Sequence, residues 1–163
     1  MTNERNYDEE LAALLQENED NKLPPAGKFN VDIETAVWTF SKAGDPMLTV
    51  EGVIVAPTAI GRKVFHRVGL WSKNRSGGAT GLNELAVAVG GSPSDLYRLA
   101  SRMEQGSVDA DEATREVADM VGTAINMVIT HKVKTRKAEL GAGTVKYKDA
   151  QIQVLPYDYI EAA

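Results

Sequence analysis

The sequence predicts a mainly β domain: three strands, a helical excursion, then two more strands. Two observations carry this. From Lys28 onward apolar residues recur at every second position, the period of a half-buried strand, and the same period returns after Gly122. Between these stretches, over about residues 80–120, apolar residues recur at spacings of three and four, the period of a helix lying on a core. A chain of 163 residues that is 43% hydrophobic has enough apolar surface for one such core.

Residues 1–26 are expected to form an acidic N-terminal helix and linker. Leu11, Leu14 and Leu15 make one helical stripe among acids, and Leu23-Pro24-Pro25-Ala26-Gly27 stops it. The domain proper is expected over 27–156. Its first strand alternates Phe29, Val31, Ile33, Thr35, Val37 and Thr39 with Asn30, Asp32, Glu34, Ala36, Trp38 and Phe40, so its far end is apolar on both faces. Trp38 and Phe40 are read there as core. Ser41 to Pro46 is a turn, Met47 to Ala56 a β-branched second strand, and Pro57 to Gly61 a second turn. In the third strand, Arg62 to Ser72, Val64, His66, Val68 and Leu70 share one face and Lys63, Phe65, Arg67, Gly69 and Trp71 the other.

Leu82, Leu85, Ala86 and Val89 then mark a helix ended by Gly90-Gly91. Leu96, Leu99, Ala100 and Met103 mark a second, capped by Ser92 or Ser94, and Ala113, Val117 and Met120 a third. Ala124 to Lys134 is the fourth strand, with Ile125, Met127, Ile129, His131 and Val133 inward. Arg136 to Gly143 is a charged turn, Thr144 to Leu155 the fifth strand, continuous or broken near Asp149, and 157–163 a C-terminal tail. Five strands with helix between the third and fourth is the connectivity of an OB-fold, a partly open five-stranded barrel. The alternative is an α+β antiparallel sheet with its helices on one face.

Charge is segregated along the chain. Residues 1–20 carry seven acids against Arg5, and 104–119 carry six against Arg115. Residues 60–75 hold Arg62, Lys63, Arg67, Lys73 and Arg75 with no acid. Residues 131–148 hold Lys132, Lys134, Arg136, Lys137, Lys146 and Lys148 against Glu139 alone. The net charge of −5 therefore hides two cationic runs. Binding single-stranded nucleic acid without reading its sequence needs cations along the phosphates and aromatic faces under the bases. The first run supplies both, with Phe65 and Trp71 among its cations. The second adds Tyr147, on the strands and loop that help clamp the ligand in OB-folds.

Enzymatic constellations are absent from the sequence. With no cysteine there is no disulfide, thiolate metal site or cysteine nucleophile. His66 and His131 fall on different strands without carboxylates at metal spacing, and Asp32 with Glu34 is too small a set for a hard cation. Gly141-Ala142-Gly143-Thr144 lacks the lysine and helix of a phosphate loop. We therefore expect no catalysis, no cofactor and no metal. No signal or transit peptide is expected, and no run approaches the ~18 apolar residues of a membrane span.

Gly27-Lys28-Phe29 opening a strand, Ser41-Lys42-Ala43-Gly44-Asp45-Pro46-Met47-Leu48, and Gly61-Arg62-Lys63-Val64-Phe65 resemble a family of small phage proteins encoded beside replication and recombination genes. The similarity runs from Leu23 to Pro156 and is sharpest between Gly27 and Phe65. The stretch Ser92 to Asp119 is longer than that family's usual connection. Some members are taken to be single-stranded DNA-binding proteins with OB-like folds. The resemblance implies a bacteriophage protein of the bacterial host cytoplasm, partnered by single-stranded DNA and by replication or recombination proteins. It carries over no contact residues. The rival expectation is a protein–protein module, a recombination accessory factor, working through its acidic helices.

Overall fold

The computed structural model describes residues 7–22, 24–137 and 143–158. Their order is α1 (Tyr7–Lys22), β1 (Gly27–Phe40), β2 (Pro46–Ala56), β3 (Lys63–Gly69), α2 (Arg75–Ala88), α3 (Asp95–Glu104), α4 (Ala110–Glu116) with a 3-10 turn (Ala118–Met120), β4 (Ala124–Lys137) and β5 (Thr144–Pro156). The strands form one antiparallel sheet in the order β3-β2-β1-β4-β5. Its two edges, β3 and β5, share no ladder among the described residues, so the sheet is open. Yet α2 packs against both edges, while α3 packs on β2 and α4 on β1. The sheet therefore curls around the helical insert, and the core lies on this inner face.

β1 is the spine of the sheet, and its alternation is not uniform. Phe29, Val31 and Ile33 are buried, and then Ala36 and Trp38 are buried instead of Thr35 and Val37. The cause is a bulge. Ile33 opposes Gly52 and Thr35 opposes Glu51, which leaves Glu34 as the extra residue. One inserted residue exchanges the faces and bends the strand. Trp38 is core as the sequence suggests, whereas Phe40, past the bulge and near the strand end, is 47% exposed. The second half of β1 lacks β4 as a neighbour, so other groups complete its hydrogen bonds. Ile33 N–H donates to Thr123 O at 3.0 Å and Trp38 N–H to Thr114 Oγ1 at 2.9 Å.

The insert is built as its spacing requires. Asn74 accepts from the Gly77 N–H to cap α2, and Asp109 accepts from Glu112 N–H at 2.8 Å to cap α4. Leu82, Leu85, Leu96, Leu99, Met103, Ala113, Val117 and Met120 are all buried. Each large one contributes roughly 1.5–3 kcal/mol by leaving water. α2 starts at Arg75, well before its apolar stripe, because Gly78 must lie against the end of β3. A side chain there would collide with the Gly69 carbonyl and with Trp71.

β4 and β5 outrun the rest of the sheet. β1 leaves β4 at the Gly27–Ile129 pair, whereas the β4–β5 ladder continues from Thr130–Gln151 to Lys137–Thr144. Eight residue pairs thus form a two-stranded ribbon, about 23 Å long at ~3.3 Å per residue. β4 does not end at Lys134, and β5 is unbroken at Asp149. His131 falls at the ribbon's base and is exposed rather than inward, and its Nε2 lies 2.6 Å from the Pro24 carbonyl. Gly141 and Ala142, in the turn beyond, lie outside the described residues.

The chain's exit is pinned by a pair of buried amides. Asn30 Nδ2 donates to Asn126 Oδ1 at 2.6 Å, and both Asn30 Nδ2 and Asn126 Nδ2 donate to the Asp158 carbonyl at 2.9 Å. The Asp158 N–H returns a bond to Asn126 Oδ1 at 3.3 Å. Two polar side chains are buried on the sheet's outer face because the tail's backbone crosses over them.

Candidate nucleic-acid interface

The outer face of β2 and β3 is open to solvent. Register builds it in rows: Val53 beside Lys63, Glu51 beside Phe65, Thr49 beside Arg67 and Met47 beside Gly69. Phe65 is 51% exposed and Arg67 is exposed with no acid in ion-pair range among the described residues. Thr35, Val37 and Thr39 of β1 extend the rows. An aromatic ring beside an unpaired guanidinium on a pleated surface is a platform for a base and its phosphate.

Trp71 joins this face by a route the alternation does not describe. β3 ends at Gly69, so Trp71 is not a strand residue. Its indole instead folds back over Gly69. A side chain built on Gly69 would meet the ring at 2.6 Å. The vacant side-chain position of a glycine, in step with Phe65 and Arg67, is filled by the tryptophan two residues later. Trp71 is half-buried there, so one role of the ring is to cover the end of β3. The β1–β2 turn is tied to the same place: Asp45 Oδ2 accepts from Ser72 N–H at 3.0 Å and from Ser72 Oγ at 3.1 Å.

The cations of the first run do not share one fate. Lys63 Nζ lies 3.0 Å from Glu51 Oε1, and that hydrogen bond raises its pKa. Arg75 makes a two-pronged pair with Glu104, both contacts at 2.9 Å, which holds the Glu104 carboxyl below its ordinary range. Arg75 therefore ties α2 to α3 and faces the insert rather than the β2–β3 surface. Arg62 interacts within the protein as well. Arg67 and Lys73 remain exposed.

The second run lies mostly on the ribbon. Cross-strand pairing puts Lys132 opposite Asp149 and Lys134 opposite Tyr147 on one face, with Lys134 Nζ 2.8 Å from Asp149 Oδ2. Val133 opposite Lys148, and Thr135 opposite Lys146, occupy the other. Lys132, Lys146 and Lys148 are exposed. Arg136 and Lys137 take register positions nearest the tip, opposite Val145 and Thr144. The side chains of Arg136, Lys137 and Tyr147 lie outside the described residues. Lys28, exposed at the start of β1 beside Val128, adds a cation at the ribbon's root. It belongs to neither charged run, so counting charge by segment does not single it out.

Although β3 and β5 are opposite edges, the two basic regions are neighbours in one sense. The last residue of β2, Ala56, pairs with Asn30 near the start of β1, so the β2–β3 connection leaves the sheet at the ribbon's end. Lys63 starts β3 at that end, with Arg62 just before it. The acids of α3 and α4 belong to the insert on the inner face.

Other chemistry is sparse. Among the described residues no three His, Asp or Glu side chains are placed to hold a metal ion, and no helix is long and apolar enough to cross a membrane. His66 lies on the inward face of β3, half-buried, and burial pushes its pKa down to about 4. A cleft of about 330 Å³ opens between α2, α3 and the 3-10 turn, floored by Leu96, Leu99 and Met120 and rimmed by Arg98 and Arg102. It lies in the helical insert, not on the cationic face. The chain matches no protein-family model and no characterised protein.

Proposed function

We propose that this chain is a non-catalytic single-stranded DNA-binding protein of the OB type, phage-encoded and acting in DNA replication or recombination. The observation that carries the reading is the pairing of a free-standing cationic ribbon with an open sheet face bearing Phe65 and Arg67. In OB-type domains the ligand crosses strands 2 and 3 between the β1–β2 and β4–β5 connections. Here those connections are the Ser41–Asp45 turn, with exposed Lys42, and the ribbon. The order β3-β2-β1-β4-β5, curled so that α2 meets both edges, is in keeping with a partly open barrel. The phage assignment rests on the resemblance of the Gly27–Phe65 stretch.

Titration of the protein into fluorescently labelled oligo-dT, read by anisotropy and tryptophan emission at low and high salt, tests the reading. We expect tight binding at low salt with a logarithmic salt slope of about −0.7 per phosphate contacted. Quenching should come from Trp71, because Trp38 is sealed in the core. Absence of binding at low salt would overturn the proposal and turn attention to the acidic helices as a protein-docking surface.

A further inference from the structure

The exposed cations of the two basic regions are far apart along the sheet. Arg67 shares a row with Thr49 and Val37. Val37 lies ten residues along β1 from Gly27, Gly27 pairs with Ile129, and Lys132 is three residues further along β4. At ~3.3 Å per residue, the surface path from the row of Arg67 to Lys132 is about 43 Å. Lys63 lies nearer the ribbon but is engaged by Glu51 at 3.0 Å.

Two obstacles stand on that path. The first is electrostatic. Glu51 neighbours Phe65, Glu34 is the bulged residue next to Thr35 in the same row, and Asp32 occupies the row of Val53 and Lys63. The pKa of Lys63 is raised by its hydrogen bond to Glu51 and by the charges of Glu51 and Glu34. A phosphate moving from Arg67 toward the ribbon meets these carboxylates. The second obstacle is the tail. Its backbone crosses β1 and β4 at the next position, where Asn30 and Asn126 hold the Asp158 carbonyl at 2.9 Å each, and it sets the exposed Asp158 there. Lys28 and the ribbon lie beyond.

On the near side, Phe65 and Gly69 are four residues apart and Trp71 fills the side-chain position of Gly69. The two rings therefore flank Arg67 about 13 Å apart, at ~3.3 Å per residue. On the far side, the ribbon presents Lys132 on one face and Lys146 and Lys148 on the other. Rings with a cation, and cations alone, are each able to hold a few nucleotides.

We infer that the β3 platform and the ribbon are two separate single-strand sites, each taking its own short segment, so that one molecule holds two strands, or two distant stretches of one strand, at once. The inference rests on the nucleic-acid reading and adds the number of sites to it. Four nucleotides at ~3.4 Å per stacked base cover about 14 Å. Such a segment fits either site and does not reach from one to the other, even drawn out to twice that length.

Titration of the isotope-labelled full chain with a four-nucleotide oligo-dT at low salt, followed by NMR, tests it. Two groups of backbone amides should shift, one around Phe65–Trp71 and one around Lys132–Lys148, each with its own midpoint. Phe65→Ala/Arg67→Glu should abolish the first group of shifts and leave the second midpoint within about twofold, since the sites do not touch. Lys132→Glu/Lys146→Glu/Lys148→Glu should do the reverse. All these positions are exposed, and the same spectra report whether the fold is intact. An oligo-dT of about 25 nucleotides, long enough to reach both sites, should bind about a hundredfold more tightly than the short one, and either variant should lose most of that gain. Shifts at one group only, a variant that moves both midpoints alike, or a long strand that binds while the short one shifts nothing, each overturns the two-site inference and leaves the single-strand reading standing. Binding of neither oligonucleotide overturns both.

Discussion

The β3 segment and the ribbon carry similar runs of positive charge in the sequence, but the fold treats them differently. On β3 and its exit, Glu51 engages Lys63, Glu104 grips Arg75 with both oxygens, and Trp71 is spent partly on covering Gly69. Arg67, on the same strand face as Phe65, and Lys73, in the connection after β3, are left exposed. On the ribbon the ladder runs beyond the sheet, past the last β1–β4 pair and so beyond the part of the sheet that packs on α3 and α4 with their acids. Asp149 answers Lys134, while Lys132, Lys146 and Lys148 stand in solvent. A run of cations becomes an electrostatic surface only where the fold carries it away from carboxylates. The sheet segment is therefore the better place for a stacked base, and the ribbon the better place for phosphates.

Reversing the ribbon's charge gives the largest expected effect. Lys132→Glu/Lys146→Glu/Lys148→Glu should weaken oligo-dT binding about a thousandfold at low salt, through lost phosphate contacts and added repulsion. The logarithmic salt slope should shrink by about 2, at ~0.7 per contact. Arg67→Glu/Lys73→Glu should cost less. If the β3 pair costs as much as the ribbon triple, the division of labour drawn above is wrong. Anisotropy titrations at several salt concentrations decide it.

The inward face of β3 is set apart by a different variable. His66 is kept neutral by burial, with its pKa pushed down to about 4 from an ordinary 6.5. The unfolded chain takes a proton near pH 6.5 and the folded chain does not until about pH 4. Stability from this group is complete above the unfolded value, falls between pH 6.5 and 4, and is level below. The full loss is about 3.5 kcal/mol at ~1.4 kcal/mol per pH unit. Urea unfolding from pH 7 to pH 4 should show that decline. His66→Leu, which cannot titrate, should flatten it, and a decline of equal size in this variant would assign it to other groups.

How far the sequence predicts this molecule depends on whether each feature is local. Strand and helix positions follow from local periodicity, and the insert's inward residues, down to Ala113, Val117 and Met120, are buried as the spacing requires. The bulge at Glu34 could only be suspected, because a period-two pattern does not say where a residue has been skipped; the sequence shows merely that β1 becomes apolar on both faces. Trp71 reaches the outer face through space rather than along the strand, which no alternation reveals. The Asn30–Asn126–Asp158 knot joins residues up to 128 positions apart. For the candidate interface, charge and aromatic content identify the segments. Which cations are already engaged, as Lys63 and Arg75 are, depends on Glu51 and Glu104, residues that lie outside both runs.

Phe65 tests the stacking half of the comparison. Phe65→Ala should leave stability nearly unchanged, since the ring is half in solvent. It should weaken oligo-dT binding by about 1–2 kcal/mol, the contribution of a stacked base, with little change in salt slope. A fall in unfolding midpoint without loss of affinity would reassign the ring to packing over β2.

Lys63 should show the smallest effect, and for that reason it sharpens the comparison most. It belongs to the same sequence run and the same strand face as Arg67, four residues away. By sequence alone the two are equivalent. In the structure its ammonium sits 3.0 Å from Glu51, whose other oxygen lies 3.5 Å from Thr35 Oγ1, so the cation's field is largely cancelled where it stands. A phosphate approaching Lys63 also approaches Glu51. Lys63→Gln should therefore change oligo-dT affinity by no more than about twofold, while Arg67→Gln costs several times more. Glu51→Gln should move the other way and tighten binding, because it frees Lys63 without removing any cation. If Lys63→Gln and Arg67→Gln weaken binding equally, the ion pair gives way to the ligand. Charge counting along the chain would then describe β3 as well as it describes the ribbon.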